Sequence, residues 1–205
     1  RRGETDAALC VATDGSVHVE ALIRFSLLSA LSTHNDPPEA ASRPFSKDRG
    51  GFVMAEGAGA FVLESYDRAR ARGAPILGVI RGCGERADDY HRTRTHPGGV
   101  PIIAAIRSAL TDADCPPHTI DYVNAHGTGT PENDKMEYLA LANVFGERVH
   151  QLPVSSSKSM IGHTLTAAGA IEAGISLMSI SKGTLPPTIN FESPDPEINL
   201  DIVPF

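Results

Sequence analysis

Apolar and polar positions follow two alternating periods along the chain. Residues 7–12, an unbroken apolar run of strand length, read as a buried strand. From 17 to 32 the apolar residues Val17, Ala21, Phe25 and Leu28 recur at helical spacing. Residues 35–49 are polar and contain proline, hence loop. A short apolar run at 59–63 predicts a strand, and the arginine-rich stretch after it an amphipathic helix ending near Gly73. Further strands are expected at 75–81, 120–125 and 153–156, and helices at 101–110, 133–145 and 165–181. Residues 82–99, rich in glycine and charge, read as loop. Pro101 stands in the first turn of its helix. Asp134 and Glu137 have capping-box spacing, with Asp in the Ser/Thr position. Pro186-Pro187 opens an extended tail. This order predicts an α/β layer architecture.

Both ends of the chain read as interior sequence. Arg1-Arg2-Gly3-Glu4 has the pattern of a helix end, and Asp201-Ile202-Val203-Pro204-Phe205 that of a strand. A complete domain rarely starts and stops inside such elements, so a piece of a longer protein is expected.

Composition narrows the class. Among 205 residues, 41% are apolar and 21% charged, as in a folded globular protein. The net charge of −7, with 25 acids against 18 bases, comes with no Lys/Arg run that could track phosphates, so nucleic acid is not an expected partner. The basic stretch from Arg68 to Arg72 is spaced like the solvent face of a helix. Cys10, Cys83 and Cys115 are far apart and form no CxxC pair, which suits a reducing, cytoplasmic setting. No apolar run approaches the ~18 residues of a membrane span, and no signal-peptide pattern opens the chain.

Three features carry candidate chemistry. In Asn124-Ala125-His126-Gly127-Thr128-Gly129-Thr130, a histidine follows a strand and precedes glycines. That edge of an open α/β sheet is where ligands bind, and the glycines let a ligand approach the backbone. Thr128 and Thr130 add hydroxyls. A surface histidine beside a turn fits the same pattern, and no GK[ST] supports a phosphate loop. The second feature, Val154-Ser155-Ser156-Ser157-Lys158-Ser159-Met160-Ile161-Gly162-His163-Thr164, is again strand, small residues and a helix start. His163 is expected near that helix's amino terminus, where the dipole disfavours imidazolium and a neutral N–H donor is favoured. An incidental histidine in a capping loop is the alternative. The third is Glu172, the one formally charged side chain between Ser159 and Ser181 in a helix that reads as apolar or small on every face, hence buried. A buried carboxylate needs a partner or a raised pKa, and Lys158 is the nearest candidate in sequence. Such a pair between two histidine loops suits an active site better than a stabilising role; a Glu reaching solvent through a gap is the other reading. His91, His96, His126 and His163 have no i, i+4 or HxH spacing and no nearby cysteine, so no metal is expected. No GxSxG elbow supports a hydrolase triad.

Taken in order, these motifs resemble the β-ketoacyl-acyl-carrier-protein synthases of the thiolase-like superfamily, in the elongating branch. The resemblance runs through Arg43-Pro44-Phe45 to Gly59, His126-Gly127-Thr128-Gly129-Thr130, Asp134-x-x-Glu137, Ser156-Ser157-Lys158-Ser159, Gly162-His163, Ala167-Ala168-Gly169-x-x-Glu172 and Leu185-Pro186-Pro187-Thr188-Ile189-Asn190. It implies a thiolase-like layered α-β-α fold present in part: residues 1–74 would end the amino-terminal half, and 75–205 would form the carboxy-terminal half without its last strands. It implies a decarboxylative Claisen condensation of malonyl-carrier protein with an acyl thioester in fatty acid elongation. His126 and His163 would donate to the enolate oxygen, Lys158 and Glu172 would be the ordering ion pair, and Thr128 and Thr130 would touch the pantetheine arm. The implied partners are acyl carrier protein and a second copy of the chain, with no resident cofactor. The resemblance puts the nucleophilic cysteine in a Thr-Ala-Cys context upstream of Arg1 and a gating Gly-Phe-Gly-Gly loop beyond Phe205. None of the three cysteines has that context. Gly50 stands where the family has Asp, which is expected to loosen its segment. A non-catalytic chain-length-factor type of subunit, a polyketide ketosynthase and a degradative thiolase are the competing readings. Both histidines with Lys158 and Glu172 speak against the first, and the His-Gly-Thr-Gly-Thr and Gly-His pairing against the last.

Overall fold

The structure is a computed structural model and describes residues 4–91 and 94–205. The helix end read at 1–3 and positions 92–93 of the 82–99 loop lie outside the described residues.

β1 (Ala7–Asp14) is followed by α1 (Val19–Leu27), a long loop and β2 (Gly57–Glu64), which pairs antiparallel with β1. Then come α2 (Tyr66–Ala71), α3 (Val100–Asp112), β3 (Val123–Asn124), α4 (Pro131–Phe145), β4 (Pro153–Ser155), α5 (Lys158–Ile161), α6 (Ala168–Lys182) and β5 (Asp201–Ile202). β3, β4 and β5 form a parallel sheet, Val123 opposite Val154 and Val154 opposite Ile202. Helical crossovers join its strands, as parallel pairing requires.

α6 lies between the two sheets, and small residues make that possible. A Cβ added at Gly57 or Gly59 of β2 would fall 2.7 Å from Ile171 or Ala170 of α6. On the other side, Asn124 of β3 donates from Nδ2 to the Glu172 carbonyl and the Ser176 hydroxyl, each at 3.1 Å. The core beneath the parallel sheet gathers Phe45, Ala125, Val154, Ile198 and Ile202. Burying a ring the size of Phe45 stabilises by roughly 1.5–3 kcal/mol, and the same ring packs under Gly127, so core and site loop share an anchor.

Several expectations are corrected. The 7–12 strand forms but is not buried: Leu9 and Val11 on one face are 70% and 58% exposed, and on the face toward α6 Ala8 and Cys10 are exposed as well. An apolar pattern on both faces states what a strand tolerates, not what covers it. The 75–81 strand is absent, since a strand needs a ladder partner and no strand among the described residues pairs with it. The segment instead runs beside helices, Gly78 against Leu177 of α6 and Gly82 and Gly84 against Ala109 and Ala105 of α3, leaving Leu77 and Ile80 exposed. The 17–32 helix shortens to α1 because Ser29 adopts a left-handed backbone (φ 53) and the chain turns to bond Phe52, whose N–H donates to the Ala30 carbonyl at 2.9 Å. The 165–181 helix begins as a 3₁₀ turn at Leu165–Ala167, and α6 is not buried throughout, since Met178 and Ile180 face solvent.

Candidate functional site

His126 lies two residues past the end of β3 and opens a loop whose Gly127 and Gly129 have φ of 38 and 80. That left-handed region is where glycine costs least. A Cβ at position 127 would also lie 2.6 Å from Ser156 Cβ. The Ser156 hydroxyl donates to the Gly127 carbonyl at 2.6 Å and ties this loop to the one after β4.

Two carboxylates of α4 hold the loop from below. Glu137 accepts the His126 N–H on one oxygen and the Gly127 N–H on the other, both at 2.7 Å. Asp134, with no solvent exposure, accepts the Phe45 N–H at 2.7 Å and the Gly129 N–H at 3.2 Å. Arg49 lies 3.7 Å from Asp134 and bonds Asp195 at 2.6 Å. The capping-box reading of Asp134 and Glu137 is thereby corrected. The cap is Thr130, whose hydroxyl accepts the Asn133 N–H at 3.3 Å, and the helix starts at Pro131, which puts both acids inside it on the face over the histidine loop.

His163 is stitched into the segment around Met54. Its N–H donates to the Val53 carbonyl at 2.7 Å and its carbonyl accepts the Ala55 N–H at 3.0 Å. The Leu165 N–H donates to His163 Nδ1 at 3.2 Å, so in the neutral ring the proton sits on Nε2. The His126 and His163 rings meet edge to face, centroids 5.2 Å apart and planes at 86°. Phe52 backs His163 at 5.2 Å.

Lys158 and Glu172 form the ion pair that the sequence suggested, the ammonium hydrogen-bonded to Glu172 Oε1 and the lysine only 1% exposed. Burial pushes the Glu172 carboxyl up, and the Lys158 hydrogen bond and charge pull against it. Burial, then the Lys158 charge, then the His163 ring push His126 down to about 3. His126 keeps an exposed face, which softens that drop without reversing its sign. Burial and Lys158 push His163 down to about 4, against a smaller upward pull from Asp14. Both rings are therefore neutral donors at pH 7. The cause assigned to His163 from sequence is corrected: a 3₁₀ turn separates it from α6, and burial with a buried ammonium does what was ascribed to a helix dipole. Burial pushes Glu137 up to about 6, opposed by the two N–H groups it accepts.

The remaining candidates fall less centrally. Thr128 is buried and its hydroxyl lies 2.9 Å from that of Thr130, so each has a partner within the loop. Cys10 and Cys83 are exposed free thiols and Cys115 a half-buried one beside Thr119. Around Gly50 the segment is bonded: the Gly51 N–H donates to the Gly129 carbonyl at 3.0 Å, Arg49 bonds Asp195, and the Phe52 N–H bonds the Ala30 carbonyl. A side chain at 50 would meet nothing within 4 Å. Among the described residues no group of three or more His, Cys, Asp or Glu is placed to hold a metal ion, and no helix is long and apolar enough to cross a membrane.

Sequence reasoning missed the loop-holding role of Asp134 and Glu137, the α6 contacts of Asn124 and the ring of Phe52. Two acids one turn apart, directly after a glycine-rich histidine loop, were a usable signal for the first. Among the described residues three buried polar atoms, Asn124 Oδ1, Ser157 Oγ and Thr164 Oγ1, have no hydrogen-bond partner. Each belongs to a residue within two positions of His126, Lys158 or His163, and unsatisfied polar groups of this kind collect where function outweighs stability.

Residues 77–192 match the family described as beta-ketoacyl synthase, C-terminal domain, and residues 1–69 match beta-ketoacyl synthase, N-terminal domain. The chain is 47% identical over 204 residues to the 3-oxoacyl-acyl-carrier-protein synthase 2 of Staphylococcus aureus, covering 100% of this chain and 50% of that one. It is 43% identical over 204 residues to the tetracenomycin polyketide synthase ketoacyl synthase alpha subunit of Streptomyces glaucescens, covering 100% and 48%. Among solved structures, a type II polyketide acyl-carrier protein in complex with its ketosynthase, bound to the hexaketide, superimposes with a TM-score of 0.95 at 39% identity, over 98% of this chain and 50% of that one. The chain spans about half the length of the curated relatives it matches. Its α/β fold is that of these ketosynthases.

Proposed function

The chain belongs to the beta-ketoacyl synthase family, and on that premise we propose that its full-length protein condenses malonyl-acyl-carrier protein with an acyl thioester, with loss of CO₂, in fatty acid elongation. The observation that carries the reading is the pair of neutral imidazoles in edge-to-face contact, His126 on the loop after β3 and His163 just past α5. A thioester oxygen taken up by both rings receives two N–H donors. The bond from the α-carbon to the malonyl carboxylate breaks, CO₂ leaves, and the electron pair enters the enolate, whose growing negative charge those donors stabilise. The α-carbon then attacks the acyl thioester carbonyl, and the acyl-bearing sulfur leaves as thiolate. A neutral imidazole loses nothing to hydration of its own charge before the reaction, which suits it to this task.

Lys158 and Glu172 order the pair, and Thr128 and Thr130, on the His126 loop, contact the pantetheine arm. That arm belongs to the carrier protein, so the site needs no resident cofactor or metal. The carrier as partner is supported by the superimposed ketosynthase, which was solved with one. We extend the proposal to a division of the chain at 74/75 and to a homodimer, supported by the exposed apolar residues Leu9, Val11 and Val62 of β1 and β2.

The test is CO₂ release from malonyl-carrier protein and 3-oxoacyl product formation by the full-length protein. Absence of both sinks the reading. A polyketide role is the second reading, supported by 43% identity to the tetracenomycin subunit; repeated extension from malonyl units alone would select it. The non-catalytic subunit reading has the intact donor pair against it.

None of the three cysteines here is expected to carry the acyl chain. Peptide mapping after incubation with acyl-carrier protein should find Cys10, Cys83 and Cys115 unmodified, and an acyl adduct on any of them would overturn that assignment.

The acid side of the pH profile should follow Glu137 rather than the histidines. Its folded value of about 6 exceeds the free value of 4.5. Its stabilising protonated form is therefore fully present below pH 4.5 and lost as pH rises through about 6. Function runs the other way. Only the carboxylate offers both oxygens to the His126 and Gly127 N–H groups, so decarboxylation should fall as pH drops through about 6 while both imidazoles stay neutral. Glu137→Gln should flatten this limb and lower the plateau about tenfold or more, since losing a hydrogen bond to a charged group costs ~1.5–3 kcal/mol. An unchanged limb in that variant would exclude Glu137.

A further inference from the structure

The turn that supplies the partner of His163 is itself held from the other sheet. Leu165 adopts a left-handed backbone (φ 48) and from there donates its N–H to His163 Nδ1 at 3.2 Å. A leucine keeps that conformation only where its surroundings over-determine it. The surroundings are Asp14, the last residue of β1, and Thr166. The Thr166 N–H donates to Asp14 Oδ2 at 3.3 Å. The Thr166 hydroxyl lies 2.8 Å from the same oxygen and 2.6 Å from the Thr13 carbonyl, its single proton serving both. Asp14 is oriented by the Ser16 N–H, which donates to Oδ1 at 3.0 Å. Hydrogen bonds from Ser16 and Thr166 hold its carboxyl below the usual carboxylate range, so it is a full acceptor at neutral pH. On the other side of the turn, Thr164 packs over Gly57, the β2 residue paired with Asp14. The end of the β1–β2 ribbon thus grips the turn on both sides of Leu165.

We propose that Asp14, acting through Thr166, is a positioning residue that keeps the Leu165 N–H on His163 Nδ1 and so holds the His163 proton on Nε2. The inference rests on the reading of His163 as a donor to the enolate oxygen. Asp14 touches no reacting atom. Its effect is on which ring nitrogen is the donor, and a donor on the wrong nitrogen is as good as absent from the site.

The test reads the ring directly. In the full-length protein with ¹⁵N-labelled histidine, the His163 resonances, assigned by their loss in His163→Ala, should show Nδ1 as acceptor and Nε2 protonated at neutral pH. Asp14→Ala should mix the two tautomers and lower kcat for decarboxylation about tenfold with KM unchanged. Thr166→Val, at an exposed position that leaves the fold undisturbed, should move both readouts the same way by less, and Thr166→Ser, which keeps the hydroxyl, should restore them. An unmixed tautomer with unchanged kcat in both Asp14→Ala and Thr166→Val would overturn the proposal. If the tautomer mixes but the unsubstituted protein releases no CO₂, the positioning role stands and the condensation reading fails.

Discussion

Alanine in place of His163 should slow CO₂ release from malonyl-carrier protein by roughly 10²- to 10³-fold, the loss measured when one oxyanion donor is removed from a preorganised site. The fold should survive, because His163 is held by its backbone: the bonds to Val53 and Ala55 involve no ring atom. The ring's packing on Phe52 is lost, so a small drop in Tm accompanies the larger loss of rate. The donor acts mainly as charge develops, so kcat should carry the loss and KM should change little. His126→Ala should behave alike, since Glu137 grips the His126 and Gly127 N–H groups rather than the imidazole. The double variant should fall short of the product of the single losses, because the two donors serve one oxygen. Initial rates over a range of malonyl-carrier protein concentrations check all three, and near-normal turnover by either single variant would remove that histidine from its role.

The second large effect is expected at Lys158. Its ammonium is almost wholly buried against Glu172, and it also contributes to keeping both imidazoles neutral. Lys158→Met leaves the Glu172 carboxylate buried without its partner, a change that costs about 3–5 kcal/mol. In the full-length protein that cost appears as a fall in Tm of several degrees. Adding Glu172→Gln removes the stranded charge and should recover most of that Tm. It should not recover the rate. Without the ammonium, both histidines titrate closer to their ordinary range and the site loses its organising charge. Melting curves of the single and double variants, set beside their decarboxylation rates, separate the two effects. Recovery of both by the double variant would mean that the pair only stabilises the fold.

The order of helices and strands was readable from the chain, and so were the histidines and the ion pair. Periodicity located α3, α4 and the parallel strands because each packs one face, or both, on a neighbour near in sequence. His126 and His163 stood out because each follows a strand and adjoins glycine. Glu172 stood out because nothing else near it is charged, and its partner lies 14 residues away. These are local signals, carried by residue type and spacing.

Where partners are far apart in the chain, the local pattern was silent or misleading. Asp134 and Glu137 have the spacing of a cap, yet they serve the loop ahead of their helix and, through Phe45, a segment 89 residues earlier. The 75–81 run has strand composition but no ladder, because composition does not create a neighbouring edge. Asp14 meets Thr166 across 152 residues, beside the turn from which the Leu165 N–H reaches His163 Nδ1. Side-chain chemistry and local periodicity are properties of the chain and were legible in it. Ring neutrality and the grip on the His126 loop depend on burial and on contacts that form only once the chain has folded around α6.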